Sequence, residues 1–342
     1  MRKERGKLER VYTAQYYTFY VAAKNLMPGK LQPEILRETV LNFTGSKRDD
    51  LLVGGGIGED AALIRVPEGI LAAASDPVTG AAKNAGRLLV HINANDIACK
   101  GADPSWFIVT LIVPDSMGRE YIHDIMSEIH TACDELGVSI AGGHTELTDR
   151  YEQPVLSGTM LGITRHELSA EKIQPGDVIL VTGHAGLEGM SIIANDRPDL
   201  FTEIFTADEM SVIRSWGDKF SVVEAAKILR DFARYMHDPT EGGINGALYE
   251  IQEGSGLSIV LDRKRVPVSP LTLRASERLN FDPFNLISSG MLIAVVPSES
   301  AEKAQDALKS SGIESGLAGY FSEDSEKLRL TTNEELWKIL SL

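Results

Sequence analysis

Cysteine is nearly missing from this 342-residue chain, which carries only two, Cys99 and Cys133. Two such thiols cannot make a disulfide scaffold, are not arranged as a metal-binding pair, and predict small buried apolar residues in a reducing cytoplasm. Positive charge is also short: 34 Lys and Arg stand against 49 Asp and Glu, a net charge of -15, which argues against a nucleic-acid surface. There is no membrane span. The uncharged stretch Val11 to Ala23 is too short and too polar, and a secretory signal would need a more apolar middle and a small-residue cleavage site. No Gly-Lys-Ser/Thr phosphate loop and no short-period repeat is present. What remains, at 43% hydrophobic residues, is a soluble globular chain long enough for two domains.

Residues 1–26 read as an extension, basic at Arg2, Lys3, Arg5, Lys7 and Arg10, then aromatic through Tyr12, Tyr16, Tyr17, Phe19 and Tyr20. An N-terminal domain is expected over 27–165 and a C-terminal one over 170–335, with the polar segment Arg165 to Gly176 crossing between them. In the first, Ala61 to Val66 and Ile70 to Ser75 predict strands around a turn at Pro67-Glu68-Gly69. Gly86 to Lys100 has helical periodicity with Gly101 as its stop. A strand over Trp106 to Val113, a helix over Arg119 to Leu136, a short strand over Val138 to Ala141 and a strand over Val155 to Thr164 follow. The second domain offers strands at Asp177 to Thr182, Leu257 to Leu261 and Met291 to Val296, with helices at Val222 to Tyr235, from Gly243, and at Ala301 to Ser311. The class is α+β.

Four acids, Asp60, Asp76, Asp96 and Glu146, stand in glycine-rich or apolar surroundings. Brought within about 4 Å at an effective dielectric of about 20, each pair repels by roughly 4 kcal/mol, and only a cation relieves that. Oxygen donors without a histidine or thiolate cage favour magnesium or calcium, and magnesium combines carboxylates with phosphate oxygens. A nucleotide is therefore the first ligand to expect. The loop Gly54-Gly55-Gly56-Ile57-Gly58-Glu59-Asp60 reads either as a phosphate-approaching backbone with acids for the metal or as ordinary turn chemistry. Asp76-Pro77 is a ligand or a cap. Asp96, beside Asn95 on an apolar helix, needs a metal or a cation such as Lys100 one turn later. His144 is a general base or bonds a loop carbonyl. Asp238 and Thr240 read as caps of the helix near Gly243, whose start could equally receive phosphate.

Five segments in order carry a resemblance: Gly58-Glu59-Asp60-Ala61-Ala62, Ser75-Asp76-Pro77, Asn95-Asp96-Ile97-Ala98 with Gly101-Ala102-Asp103-Pro104, Gly142-Gly143-His144-Thr145-Glu146, and Asp238-Pro239-Thr240-Glu241-Gly242-Gly243. From about Lys30 to Leu330 the chain resembles the aminoimidazole ribonucleotide synthetase superfamily, which includes thiamine-monophosphate kinase, selenophosphate synthetase and the hydrogenase maturation factor HypE. Asp238-Pro239-Thr240 and Gly186-Leu187-Glu188-Gly189-Met190 look closest to HypE-type proteins.

The resemblance implies a PurM-like two-domain fold, whose N-terminal sheet pairs across a homodimer into a β-barrel and whose C-terminal α/β domain closes over substrate. It implies ATP and magnesium, with Asp60, Asp76, Asp96 and Glu146 on the metal and Asp96, Glu146 and His144 at the chemistry. Lys30, Gly56, Gly58, Asp60, Asn95, Gly142, Gly143, Asp238, Thr240 and Gly242 would surround the nucleotide, Gly56 and Gly58 within a mobile cover. The expected function is magnesium-dependent phosphoryl transfer from ATP that activates a small oxygen-bearing substrate. A thiamine-monophosphate-kinase-like enzyme and a low-turnover nucleotide-binding scaffold with a maturation partner are the alternatives. Two departures are expected to change the substrate. No cysteine follows Cys133 to form the tail of HypE-type proteins, and Glu241 stands where those usually have arginine.

Overall fold

In the computed structural model, which describes residues 48–67, 69–78, 84–323, 327–331 and 333–342 with isolated positions before 48, the first half of the chain forms a six-stranded sheet. The extension 1–26 and Lys30 lie outside the described residues. The strands are β1 (Leu51–Val53), β2 (Ala62–Val66), β3 (Gly69–Val78), β4 (Asp103–Pro114), β5 (Ser139–Thr148) and β6 (Val155–Thr164), in the order β1-β2-β3-β6-β4-β5. Neighbours are antiparallel except β4 with β5, which run parallel. Helices α1 (Ala85–Cys99) and α2 (Gly118–Leu136) cover one face.

The sequence of β6 dictates how closely α1 lies. Its inward positions alternate over ten residues, and two of them are glycine. A Cβ at Gly158 would lie 2.5 Å from the Phe107 ring and 2.8 Å from Asn93 Nδ2; one at Gly162 would lie 2.6 Å from Ile97. With no side chain there, the helix settles onto the sheet, and twelve of its fifteen residues are buried. The opposite face of the sheet is open, with Trp106 43% and Ile108 40% exposed while Phe107 between them is fully buried.

The second half forms a five-stranded antiparallel sheet in the order β8-β10-β7-β11-β9, from β7 (Val178–Thr182), β8 (Tyr235–His237), β9 (Ser258–Leu261), β10 (Leu292–Val296) and β11 (Ser315–Ser322). Both its faces are covered: α6 (Gly243–Ser255) lies on one, α5 (Val223–Leu229) and α8 (Ala301–Ser310) on the other. The last residues of α1, Ala98 and Cys99, join that second core. Helices α3 (Leu187–Asp196), α4 (Ala207–Ser215), α7 (Pro270–Leu279) and α9 (Glu335–Leu340) make a further apolar cluster through Met190, Ile193, Met210, Ile213, Ala275, Leu336 and Ile339.

Two expectations from periodicity are corrected. The helix expected to reach Tyr235 stops at Leu229, because Tyr235, Met236 and His237 are fully buried as a strand against β10. The short strand ending at Ala141 continues to Thr148, since parallel pairing with β4 outweighs two glycines; a Cβ at Gly143 would lie only 2.0 Å from Val109 O.

His91 on α1 generates a pH prediction. It is buried with neither ring nitrogen hydrogen-bonded. Burial, and then the Arg87 charge, push its pKa down to about 4, with Glu135 opposing. An unfolded histidine titrates at about 6.5, so between 6.5 and 4 the unfolded chain binds a proton that the folded chain refuses. Stability should fall as pH drops through that window, by about 3 kcal/mol in all. Urea unfolding at a series of pH values is expected to show a shallower loss for His91→Leu than for the wild type; parallel curves would contradict it.

Candidate metal centre

The glycine-rich loop ends in two acids that the backbone sends apart. Glu59 forms an ion pair with Lys100, which is fully buried, and also accepts from Ser169 Oγ at 2.9 Å and Ala170 N at 3.0 Å. Lys100 is therefore the partner of Glu59, not of Asp96 as the helical spacing suggested. Gly58, at φ 74, has its carbonyl held by the Tyr235 hydroxyl, and Lys100 Nζ sits 5.4 Å from the centre of that ring. These contacts tie the end of the glycine-rich loop to β8.

Asp60 turns the other way and meets Cys99 and Asp238, one ligand atom of each lying within 4.8 Å of the others. Its Oδ1 is 2.5 Å from His237 Nδ1, an ion-pair contact whose angle leaves Nδ1 without a regular hydrogen bond, and its Oδ2 is buried with no hydrogen-bond partner. His237 Nε2 contacts Glu250 at 3.1 Å. Burial opposes charge on His237, but Asp60 and Glu250 outweigh it and push the ring up to about 10, so it stays an imidazolium.

Asp96 enters from α1 and shares a hydrogen bond with the Asp76 side chain. Burial first, then the charges of Asp76, Asp238 and Asp60, hold its carboxyl well above the usual carboxylate range. Asp238 is pushed up to about 7 by burial and Asp60, against the pull of His237 and Asn95. Burial and then Asp238, Asp60 and Asp96 also raise the Cys99 thiol well above its ordinary value; its Sγ lies 3.8 Å from Asp238 Oδ1. A thiol so held is a poor soft ligand, and the donor set is effectively oxygen.

Comparisons with known proteins fit this architecture. The profile of AIR synthase related protein, N-terminal domain, matches residues 58–164, and that of the C-terminal domain matches 174–330. The chain belongs to the AIR synthase-related family. It is 25% identical over 317 residues to a putative hydrogenase expression/formation protein of Methanocaldococcus jannaschii, covering 89% of this chain and 91% of that one. It is 27% identical over 278 residues to the carbamoyl dehydratase HypE of Rhizobium leguminosarum bv. viciae, covering 78% of each. The structure of a hydrogenase maturation protein HypE in complex with ATP superimposes with a TM-score of 0.65 at 22% identity, over 87% of this chain and 88% of that chain. The two-domain α+β fold of this superfamily is thereby established.

Against the family signature, the side chains divide into three groups. Asp60, Asp76, Asp96 and Asp238 converge. Asn95 is committed to protein: its Nδ2 donates to Phe220 O at 2.8 Å and Asp238 Oδ2 at 3.4 Å, and its Oδ1 accepts from Val222 N at 2.9 Å. An amide with both ends engaged fastens α1 to the segment 220–222 and to Asp238. Thr240 and Asp238 do not cap α6, whose first residues follow a left-handed Gly242 without any side-chain cap. Gly56 keeps an isolated bridge to Glu59.

The third group stands apart. Asp76, Gly158, Val109 and Gly143 are register partners across β3, β6, β4 and β5, and Glu146 lies three residues farther along. Three strand spacings and three residues put Glu146 roughly 17 Å from Asp76 within one chain. Its carboxylate lies 3.6 Å from His144 Nε2, and Gly142 through Glu146 are all exposed on the edge strand. The expectation that Glu146 and His144 join the other acids is not met within one chain. Residues that sequence reasoning missed are Asn93, which pins the Asp76 backbone (Asp76 N to Asn93 Oδ1, 3.0 Å), His237, which contacts Asp60, and Glu250, which contacts the other side of the His237 ring. His237 directly precedes the Asp238 motif, the one available signal.

Two predictions follow from these charges. Without metal, Asp96→Asn removes one member of a repelling set, so the variant in EDTA should melt above the wild type while losing the wild-type gain in melting temperature with magnesium. Equal metal responses would contradict the site. Removing Lys100 alone leaves Glu59 buried and unpaired: Lys100→Met should cost about 3–5 kcal/mol, largely recovered in the Lys100→Met/Glu59→Gln pair. Chemical denaturation of the three proteins measures the coupling.

Proposed function

We propose that this chain is a magnesium-dependent, ATP-using enzyme that phosphorylates a small oxygen-bearing substrate and so activates it. The observation that carries the reading is the convergence of Asp60, Asp76, Asp96 and Asp238, while among the described residues the nearby cations are committed, His237 to Asp60 and Glu250 and Lys100 to Glu59. The orphaned Asp60 Oδ2 and the oxygen-rich donor set fit a hard divalent ion. Asp60, Asp76, Asp96 and Asp238 would hold it, and when bound it would supply charge to neutralise the phosphates of ATP.

The chain's own residues do the rest. His237, kept protonated by Asp60 and Glu250, fixes the orientation of the Asp60 carboxylate and is not free to act as a base. Asn95 and Asn93 hold Asp238 and Asp76 against α1, so the acids keep their places whether or not an ion is bound. Positioning of this kind is the protein's main contribution to phosphoryl transfer. ATP as the donor is supported by the HypE structure solved with ATP, and an activated oxygen by the carbamoyl dehydratase relatives.

A homodimer belongs to the same proposal. The uncovered face with Trp106 and Ile108, and the exposed edge β5 with Leu147 at 54%, suit pairing with a second copy, which would bring Glu146 and His144 to an interface. No described helix is long and apolar enough to cross a membrane. The boundaries 27–165 and 170–335 are proposed for the two domains, and a cytoplasmic location goes with them.

Phosphorus NMR of the full chain with magnesium, ATP and charge-fractionated metabolite extract tests the function. Substrate-stimulated loss of ATP with a new phosphorus resonance is expected, absent in Asp96→Asn. ATP consumption unchanged in that variant would sink the proposal.

A further inference from the structure

Beside α6 the second half of the chain holds a cavity of about 200 Å³ that none of the four converging acids lines. Its inner end is Asn245, in the first turn of α6 and only 2% exposed. A backbone carbonyl fixes the direction of that amide. Thr331 O can only accept, so Asn285 turns Nδ2 to it, at 2.5 Å, and presents Oδ1 to Asn245. Asn245 Nδ2 donates to Asn285 Oδ1 at 2.9 Å, and Thr331 Oγ1 donates to the same oxygen at 2.8 Å. Asn285 does not line the cavity, so Oδ1 is the end of the Asn245 amide left to it. That oxygen is buried with no hydrogen-bond partner.

The outer end is basic. Arg329 is exposed and has neither ion pair nor hydrogen bond among the described residues. Arg263 is committed: its Nη2 donates to both oxygens of Asp282, at 2.7 and 2.8 Å, and its guanidinium stacks 3.7 Å from the centre of the Phe284 ring. One carboxylate against two guanidiniums leaves the lining positive, in a chain whose net charge is -15. Leu261, Leu328 and Leu330 supply apolar wall. The wall that carries Leu328 and Arg329 is fastened to α6, since Leu328 N donates to Gln252 Oε1 at 3.1 Å, Gln252 Nε2 to Leu328 O at 3.2 Å and Lys327 Nζ to Glu253 at 2.7 Å.

We propose that this cavity binds a free α-amino acid with an apolar side chain. Arg329 takes the carboxylate through paired N–H donors, Asn245 Oδ1 and Asp282 accept from the ammonium, and the side chain rests on the leucines. A sulfate or a simple carboxylate offers acceptors only and would leave Asn245 Oδ1 buried without a donor, which is the costly outcome. An amine without a carboxylate would leave Arg329 unused. A nucleotide is too large, because the volume falls below the roughly 300–1,000 Å³ of drug-sized sites.

The test uses the full chain in EDTA without nucleotide. Leucine, valine, methionine and phenylalanine are surveyed by melting temperature, at least one of them should raise it, and the strongest is carried into titration calorimetry. The same molecule without its amino group, and the same molecule without its carboxyl group, should each bind roughly tenfold more weakly or worse. Arg329→Met, a change at an exposed position, should weaken the amino acid by a similar factor, and Asn245→Leu, which keeps the bulk and removes the acceptor, should do so too. Circular dichroism checks folding; if the Asn245 variant is unfolded, Arg329→Met and the acid lacking the amino group decide. Failure of every apolar amino acid to bind, an acid lacking the amino group that binds as tightly as its parent, or undiminished binding by folded Arg329→Met overturns the proposal.

Discussion

A helix buried on all sides and still rich in polar groups governs this molecule. α1 sits against glycines of β6 on one flank and reaches the core of the second sheet at its C-terminal end, so Asn93, Asn95 and Asp96, and Lys100 just beyond it, have little water to turn to. Each must find a partner in the protein or remain a penalty. Asn93 finds the Asp76 backbone, Asn95 the segment 220–222 and Asp238, and Lys100 the Glu59 carboxylate. Those partnerships join the first sheet, the glycine-rich loop and the second sheet. Asp96 alone is left facing other acids, and the site is the remainder of that bookkeeping.

Charge within the site is arranged so that each positive group is already committed to carboxylates. His237 is shared by Asp60 and Glu250, which fixes the ring and aims Asp60 without neutralising Asp96 or Asp238. Lys100 is withdrawn to Glu59. A cluster compensated only in part by the cations beside it is strained in its charge, as expected where function opposes stability.

Much of the frame was legible in the sequence because it depends on local pattern. β6 was read with its observed ends, and α1, α2, β7, β9 and β10 to within one residue at each end, each being a run whose period or length matches one element. Failures occur where a distant partner decides: β5 lengthens because β4 is there, and Tyr235 to His237 become a strand because β10 is. At the site, Asp60, Asp76 and Asp96 drew attention through their apolar settings, and spacing could not reveal that Lys100 prefers Glu59 or that Asn95 is spent on Phe220 and Val222. Glu146 belonged to a persuasive motif, yet register alone carries it three strands away from Asp76.

The pairing of β3 with β6 has a kinetic meaning. Ser75 Oγ bonds Gly158 O across 83 residues, with α1, β4, α2 and β5 all intervening in the chain. Such remote closure is entropically slow and waits until the intervening units have condensed. Asp238 arrives from still farther along. The acidic cluster is therefore complete only late: a nascent chain halted before β8 bears the repulsion among Asp60, Asp76 and Asp96 without that of Asp238.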